Sequence, residues 1–310
     1  MLRPTRASQI PSKPSIVLVG PPGGGKTYLS STAPGELMYW VTRRSELDTL
    51  TAIGKDPLVM MFGMNTVKPD EEDKLKTVGT IDYQANYNEL WEALQWLESK
   101  VGTVANPKDA KERSVIIDKM TDFQQVMVEY IIWKDWCNQQ RNPRYSPGPL
   151  DMTEAIRGWE GWGQVQNCTR RFIILGQRLN VNWVYCMDEG MGESVTDSLE
   201  RQEKQRRTGQ PEQRWTSYVT GRLLSGFRED MPGYVSLWAH LSVEDGAYYA
   251  DFGKSEVFFA KARLPGLGKE DVTGSTDAIA GWFKALKAAG PQQHTEEQKK
   301  EVGEEEDNAA

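Results

Sequence analysis

The sequence predicts an α/β fold in which helices flank a mainly parallel sheet that ends in a late antiparallel edge. A strand, a glycine-rich loop, a helix and a second strand follow one another over residues 15–42, and this order is a βαβ unit. Strand-like and helix-like patterns then continue to alternate up to residue 187. Beyond about residue 234 apolar side chains recur at every second position, which is typical of antiparallel hairpins.

Short apolar runs rich in β-branched residues predict the parallel strands, and apolar residues at three- and four-residue spacing predict the helices between them. The expected strands are residues 15–19, 37–42, 114–118 and 181–187. The first helix is expected to begin near Lys26 and to end before Pro34, and later helices are expected at 86–100, 121–140 and 153–178. Polar or turn-rich segments at 66–81, 142–149 and 188–216 are expected to be exposed loops, the last of them mobile.

The last part of the chain predicts strands without intervening helices. Three short runs of alternating apolar residues cover 234–241, 247–252 and 256–262. The sequence Glu-Asp-Gly at 244–246 lies between the first two runs and predicts a tight hairpin turn. A final amphipathic helix is expected near residues 275–288.

Composition and charge limit the classes of protein that fit. The chain has 310 residues, of which 38% are apolar, enough for one sizeable core. Its formal net charge is −7, so bulk charge does not attract nucleic acid and any contact with DNA must be local. Residues 292–310 carry seven acids and two lysines, a net charge of −5. We expect a basic arm over 1–14, one domain over 15–290 and an acidic, disordered tail over 291–310.

Apolar stretches and cysteines indicate the compartment. No window of about eighteen apolar residues is present, and the basic start lacks the apolar segment of a secretory signal. We therefore expect no membrane partner and a cytoplasmic location. Cys137, Cys168 and Cys186 have no close pairing and are expected to be buried thiols. His240 and His294 are too far apart in sequence to suggest a zinc-ligand pair, and most of the tryptophans are expected to lie in the core.

The segment Gly20-Pro-Pro-Gly-Gly-Gly-Lys-Thr27 fits the phosphate-binding pattern G-x-x-x-x-G-K-[ST] in full. Glycines allow successive backbone N–H groups to converge on phosphate oxygens, and a helix N-terminus adds partial positive charge. Lys26 is expected to reach the β- and γ-phosphates of ATP, and the Thr27 hydroxyl to ligate Mg²⁺. The expected nucleotide-binding residues are Gly20, Pro21, Pro22, Gly23, Gly24, Gly25, Lys26, Thr27 and Tyr28.

A second contact to Mg²⁺ is expected from an acid at the end of a neighbouring strand. Asp118 closes the apolar run 115–117 and is assigned this role, the Walker B role; the alternative is that it caps the next helix. Lys119 follows it, so the Asp-Glu pair of many AAA+ ATPases is absent. The group that orients the attacking water must then come from elsewhere. The candidates are Asp122, Glu189 and, favoured over these, Glu46 and Asp188.

Two cations near the end of the last expected strand, Lys261 and Arg263, are candidates for a phosphate contact. Because Lys26 already serves the same subunit, we expect this pair to act on a neighbouring subunit as an arginine finger. The alternative is a solvated pair of charges on an edge strand.

The order of these features resembles the phage-encoded RecA-core ATP-binding proteins, some of which are single-strand annealing proteins of phage recombination. The resemblance spans about 15–265. It rests on the glycine motif, the strand ending at Asp118 with Met-Thr-Asp-Phe at 120–123, the helix through Trp159 and Trp162, the strand at 181–187 and Lys-Ala-Arg at 261–263. It implies a RecA-like core, ATP bound between subunits of a homo-oligomer in a ring or filament, single-stranded DNA as partner and cooperation with a single-strand-binding protein.

The resemblance also implies roles for the segment after the second strand and the segment after the fourth strand. RecA-like proteins place a catalytic glutamate directly after the second strand, whereas this chain has Thr-Arg-Arg at 42–44 and its first acid is Glu46. The family holds single strands in loops after the fourth strand, and here that segment carries cations beside Trp215, an aromatic able to stack on a base. The candidate DNA contacts are Arg201, Lys204, Arg206, Arg207 and Arg214. The alternative is an exposed loop without a partner.

These observations favour an ATPase that handles single-stranded DNA in phage recombination or replication. Two alternatives stay open. A P-loop kinase of a nucleotide or nucleoside would use residues 201–214 as an arginine-bearing lid. An assembly protein that binds ATP without hydrolysing it would account for the missing Asp-Glu pair.

Overall fold

The computed structural model describes residues 13–66, 81–141, 158–195, 215–221, 231, 233–253, 261–262, 264 and 266–289. The strands are β1 (Ser15–Gly20), β2 (Glu36–Val41), β3 (Leu58–Met61), β4 (Arg113–Asp118), β5 (Asn182–Val195), β6 (Trp215–Gly221), β7 (Leu237–Glu244), β8 (Ala247–Asp251), β9 (Lys261–Ala262) and β10 (Lys269–Asp271). The helices are α1 (Lys26–Ser30), α2 (Asp48–Ala52), α3 (Tyr83–Val101), α4 (Met120–Gln140), α5 (Gly158–Gln177) and α6 (Ala278–Ala289), and a 3-10 turn covers Arg44–Leu47.

Eight of these strands form one continuous sheet in the order β10-β8-β7-β1-β5-β4-β2-β3. The strands from β7 to β3 are mutually parallel. At one edge β8 is antiparallel to β7, and β10 is antiparallel to β8. The predicted α/β class, with a mainly parallel sheet and a late antiparallel edge, is confirmed.

Helices cover both faces of the sheet. Val17 and Val19 of β1 belong to a core that includes side chains of α3, α4 and α5. Ile16 and Leu18, the alternate residues of the same strand, belong to a second core with side chains of α1, α2 and α6. Because side chains alternate between the faces of a strand and both faces are buried here, β1 is a continuous apolar run rather than an alternating one.

The hairpin between β7 and β8 turns at Asp245 and Gly246, as the sequence predicts. Both residues have positive φ, 51° and 82°, which is the requirement of the tight turn that matches the twist of the flanking strands. The pairing Glu244↔Ala247 closes the hairpin directly beside the turn. The tip of this hairpin is therefore a fixed feature of the fold.

The prediction of a loop over 188–216 is wrong at both ends. β5 continues to Val195 and pairs in antiparallel register with β6, from Glu189↔Gly221 to Val195↔Trp215. Polar residues form this ribbon because its ladder uses backbone N–H and C=O groups, which every residue other than proline supplies. Two further strands, β3 and β10, were not predicted, because they are short and partly exposed and so lack a buried apolar pattern.

Several sequence expectations concern side-chain burial. Trp40, Trp183 and Trp238 are fully buried in the core, whereas Trp96 is exposed. Cys137 and Cys186 are buried and Cys168 is half-buried. The expectations for residues 1–12, 67–80, 142–149 and 290–310, which include most of the basic arm and the whole acidic tail, lie outside the described residues.

Among the helices that the structure describes, none has both the length and the apolar character needed to cross a membrane.

Candidate functional site

The loop from Gly20 to Thr27, here called the glycine loop, joins the carboxyl end of β1 to α1. Gly23 and Gly25 have φ of 77° and 82°, a conformation that residues with a side chain rarely adopt. A Cβ atom at Gly20 would lie 2.9 Å from Cβ of Leu241 on β7. Glycine is therefore required both for the turn and for the close approach of the neighbouring strand.

A cavity of about 600 Å³ lies over the glycine loop, within the size range of small-molecule sites. Its lining combines the glycine loop and α1, the segment around the 3-10 turn, the end of β4, Asp188 in the middle of β5, and a wall from the β7–β8 hairpin and the segment after β10. The lining residues are Pro22, Gly23, Gly24, Gly25, Lys26, Thr27, Tyr28, Leu29, Glu46, Thr49, Asp118, Lys119, Asp188, Leu241, Tyr248, Val272, Thr273 and Gly274.

Strand register explains why distant residues meet in this cavity. β5 lies between β1 and β4, and Gly20 is the register partner of Asp188. Asp118, at the end of β4, is opposite Cys186 of β5. The carboxyl ends of β1 and β4 thus lie on either side of β5, at the level where its parallel pairing ends, and open α/β sheets bind ligands at the carboxyl ends of their strands.

Thr27 and Asp118 are joined by a hydrogen bond in which Thr27 Oγ1 donates to Asp118 Oδ2 over 2.7 Å. Burial raises the pKa of the Asp118 carboxyl, and the Thr27 hydrogen bond and the Lys26 charge only partly oppose this. The predicted alternative role of Asp118 as a helix cap is not observed, since the N-cap residue of α4 is Lys119. The two oxygen-bearing side chains are hard ligands of the kind Mg²⁺ prefers.

The described residues contain no group of three or more His, Cys, Asp or Glu side chains able to hold a metal ion. Mg²⁺ does not need such a group, because it usually binds through one or two carboxylates together with waters and substrate phosphates. A hydroxyl and one buried carboxylate beside a glycine loop therefore fit Mg²⁺ that arrives with a phosphate ligand.

Lys26 lies inside the site rather than in solvent, with 7% of its surface exposed. Its Nζ donates to the carbonyl oxygens of Gly20 at 2.7 Å and Pro21 at 2.9 Å. It also pairs with Asp188 Oδ1 at 3.1 Å, and Lys119 Nζ lies 3.2 Å from Asp188 Oδ2. Asp188 thus bridges two lysines at the base of the cavity.

Asp188 and Glu46 differ in electrostatic environment. Partial burial raises the pKa of Asp188, but the neighbouring Lys26 and Lys119 outweigh it, so its pKa is below the usual value. Burial, and then the charge of Asp118, raise the pKa of Glu46 to about 7. A carboxylate with a pKa near neutrality is suited to accept a proton, whereas one held by two cations is suited to position them.

Glu46 lies in the 3-10 turn and is 9% exposed. Its Oε2 accepts a hydrogen bond from the backbone N–H of Arg43 at 3.4 Å. Its Oε1 is buried, and no group among the described residues forms a hydrogen bond with it. An unpartnered buried carboxylate oxygen is costly, and here it belongs to a residue that lines the cavity.

The other two candidate acids are engaged outside the cavity lining. Asp122 accepts a hydrogen bond from Thr42 Oγ1 at 3.3 Å and pairs with Arg43 Nε at 3.2 Å. Glu189 Oε1 lies 2.8 Å from His240 Nε2. Of the four acids, the structure therefore places Glu46 and Asp188, the two favoured from sequence, in the cavity lining and leaves Asp122 and Glu189 out of it.

Of the two cations predicted to act on a neighbouring subunit, Lys261 and Arg263, the structure describes only the backbone of Lys261. The backbone of Lys261 pairs with Trp238 of β7, which is level with Val17 of β1. Gly20 is three positions further along β1 than Val17, about 10 Å along the sheet. Arg263, the side chain of Lys261 and the candidate DNA contacts lie outside the described residues; these last are Arg201, Lys204, Arg206, Arg207 and Arg214.

Sequence reasoning missed one side of the cavity. Tyr248, Thr273 and Gly274 reach it because β7 lies beside β1 and carries the β7–β8 hairpin over the glycine loop. In the sequence, Lys119 stands only where many ATPases have a glutamate, and no local pattern predicts its contact with Asp188. The alternating runs and the Asp-Gly turn predict the hairpin itself, but nothing in the sequence indicates that it lies over the glycine loop.

The fold and the site together define an α/β protein with a ligand cavity at the carboxyl edge of a parallel sheet, built around a glycine loop. Neither a protein-family model nor a curated protein sequence matches the chain.

Proposed function

We propose that the protein binds ATP with Mg²⁺ in this cavity and hydrolyses it, and that the nucleotide cycle controls the handling of single-stranded DNA in phage recombination or replication. One observation carries the proposal. The glycine loop, the Thr27–Asp118 pair and the unpartnered carboxylate oxygen of Glu46 line the same cavity. Phosphoryl transfer needs a phosphate cradle, a metal contact and a group that orients the nucleophile, and each of these features supplies one.

The cradle is formed by the backbone N–H groups of the glycine loop and by Lys26. In the structure Lys26 Nζ is held by two carbonyl oxygens and Asp188. A triphosphate offers this ammonium group more negative charge than these partners, so we expect Lys26 to turn towards the phosphates. Lys119, on the other oxygen of Asp188, provides a second cation at the same end of the cavity.

Thr27 and Asp118 would hold Mg²⁺ between the protein and the phosphates. When bound there, Mg²⁺ neutralises the charge that develops on the phosphate oxygens during transfer. The raised pKa of Asp118 fits this role, because a buried carboxyl without a cation is costly to ionise and gains most from a divalent partner.

Glu46 is the proposed general base. Its free Oε1 would accept a proton from water as the water oxygen attacks the γ-phosphorus. The bond between the γ-phosphorus and the bridging oxygen breaks, which yields ADP and inorganic phosphate. The pKa of about 7 leaves Glu46 largely ionised under mildly basic conditions and basic enough to take the proton. This environment favours hydrolysis over the alternative of an assembly protein that binds ATP without turnover.

Single-stranded DNA and a homo-oligomer are proposed partners on separate grounds. The resemblance to phage-encoded RecA-core ATP-binding proteins and the cations of 201–214 support the DNA, and the same resemblance supports cooperation with a single-strand-binding protein. The oligomer is supported by the register of β9. The backbone of Lys261 is level with Val17 of β1, about 10 Å along the strand direction from Gly20 of its own glycine loop. That offset favours Lys261 as a group that acts on a neighbouring subunit, and Arg263 is proposed to act with it because Lys26 already serves its own subunit.

The test is phosphate release from ATP with Mg²⁺, measured with and without single-stranded DNA, in the full chain and in Lys26→Ala. We expect turnover that DNA stimulates and that Lys26→Ala abolishes, with ATP affinity at least about tenfold weaker because a charged hydrogen-bonding group is lost. Phosphate transfer to a nucleoside or nucleotide would indicate the kinase alternative. Tight ATP binding without phosphate release would indicate the assembly protein. Unchanged ATP affinity and turnover in a folded Lys26→Ala variant would refute the site.

A further inference from the structure

We propose that the wall of the cavity formed by the β7–β8 hairpin and the segment after β10 is a nucleobase subsite, in which the base stacks on the ring of Tyr248. This inference rests on the proposed function and makes it more specific, because it assigns the residues that bind the base of the nucleotide, in addition to those that bind its phosphates. The wall consists of Leu241, Tyr248, Val272, Thr273 and Gly274.

The ring of Tyr248 lies directly against the glycine loop. A Cβ atom at Gly25 would be 3.0 Å from Tyr248 Cδ1, so the aromatic side chain lies directly beside the phosphate cradle. Tyr248 is nevertheless 37% exposed. A large aromatic residue that touches the loop and keeps a free surface inside a cavity is placed to receive a flat ligand group.

Backbone contacts fix the position of this residue. The N–H of Tyr248 donates to Thr273 Oγ1 at 2.8 Å, and the N–H of Val272 donates to the Tyr248 carbonyl at 2.9 Å. The segment after β10 is itself braced by the N–H of Thr273, which donates to Asp271 Oδ1 at 2.9 Å. A surface held in this way loses little conformational freedom when a ligand binds.

The lining of the cavity combines the two kinds of surface that a nucleotide requires. The glycine loop and Lys26 supply N–H groups and positive charge, whereas the wall supplies the apolar side chains of Leu241 and Val272 beside the aromatic ring. Bases have apolar faces that stack on aromatic rings, and each such contact contributes substantially to binding. An inorganic polyphosphate would leave this wall unused.

The next residue of β8 provides a matched control. Side chains alternate along a strand, and Tyr249 instead has Lys269 Nζ 4.5 Å from its ring centroid. Tyr249 does not belong to the described lining of the cavity. Removal of either ring from this hairpin deletes the same side chain, but only one of the two deletions affects the subsite.

The experiment is calorimetric titration of the full chain with ATP and, separately, with inorganic tripolyphosphate, both with Mg²⁺. We expect the wild-type chain to bind ATP more tightly than tripolyphosphate. Tyr248→Ala should lower the affinity for ATP by about tenfold or more and leave the affinity for tripolyphosphate unchanged. Tyr248→Phe, which keeps the ring, and Tyr249→Ala should bind ATP with the affinity of the wild type. Lys26→Ala should lower the affinity for both ligands.

Other outcomes separate the two proposals. The base subsite would be overturned if the wild type bound both ligands with equal affinity. It would also be overturned if Tyr248→Ala lowered the affinity for both ligands equally. In either case ATP binding at the glycine loop would stand. Full ATP affinity in Tyr248→Ala would also overturn the base subsite. Binding of neither ligand by the folded wild-type chain would overturn the proposed function and the subsite together.

Discussion

Thr27 Oγ1 donates a hydrogen bond to Asp118 Oδ2 over 2.7 Å, although 91 residues separate the two in sequence. The contact joins the first turn of α1 to the end of β4, across the middle of the intervening β5. Asp118 is 1% exposed, so the hydroxyl compensates part of the cost of removing the carboxyl from water. This pair is the feature of the site that a divalent cation would join.

Asp118→Asn is expected to retain much of the ATP binding and to lose Mg²⁺-dependent turnover by about two orders of magnitude or more, since the amide cannot replace the carboxylate charge beside the metal. The fold should not be weakened, because the amide oxygen still accepts from Thr27 and burial already raises the pKa of the carboxyl. ATP titration, phosphate release and thermal unfolding measure the three quantities. Normal hydrolysis in the variant would show that Asp118 has only a structural role.

Glu46→Gln is expected to bind ATP but not to hydrolyse it, because the amide cannot accept the proton of the attacking water. In the wild type, kcat/KM should fall about tenfold per pH unit below a midpoint near 7, since protonation of Glu46, whose pKa is about 7, removes the base. Glu189→Gln, an acid outside the cavity lining, is the control and should keep its turnover. A kcat/KM that is flat between pH 6 and pH 8 would argue against Glu46.

The same residue gives a prediction for stability without nucleotide. The folded-state pKa of Glu46 is raised above its unfolded value of 4.5, so ionisation of Glu46 costs the folded state more than the unfolded state. Its contribution to stability is therefore lost as pH rises from 4.5 to 7. Glu46→Gln should raise the Tm relative to wild type at pH 8 and have a smaller effect at pH 5. An equal shift of Tm at both pH values would contradict the raised pKa.

Arg263→Ala is expected to lower turnover far more than ATP affinity, because a cation from a neighbouring subunit acts mainly on charge that develops in the transition state. Arg263→Ala subunits keep an intact glycine loop, and Lys26→Ala subunits keep Arg263. A mixture of the two should therefore regain part of the activity that each lacks alone. If co-assembled mixtures recover no turnover, Arg263 does not act between subunits.

Deletion of residues 292–310, which carry a net charge of −5, is expected to tighten binding of single-stranded DNA at low salt. The acidic segment competes with DNA phosphates for the same cations, and added salt screens that competition. The difference between the full and shortened chains should thus shrink as ionic strength rises. A chain with the seven acids changed to amides should behave like the deletion, and equal affinities at low salt would contradict the competition.

Local sequence patterns predicted much of the fold correctly. The strand over 15–19, the glycine loop and the start of α1 at Lys26 are each specified by a few adjacent residues. The Asp-Gly turn of the β7–β8 hairpin is specified in the same way. The error over 188–195 has the opposite cause, because that segment gains its structure from pairing with β6 and carries no apolar pattern of its own.

The sequence by itself determined the glycine loop, the strand that ends at Asp118 and the alternation of strands and helices, because backbone preferences and side-chain periodicity act over short distances. Only the tertiary structure decided that β5 separates β1 from β4, that Glu46 is buried near Asp118, and that Tyr248 lies over Gly25. These relationships depend on strand order and on the burial of side chains such as Glu46 away from water. Both are set by how the whole sheet packs between its helices, and no segment of the chain encodes them alone.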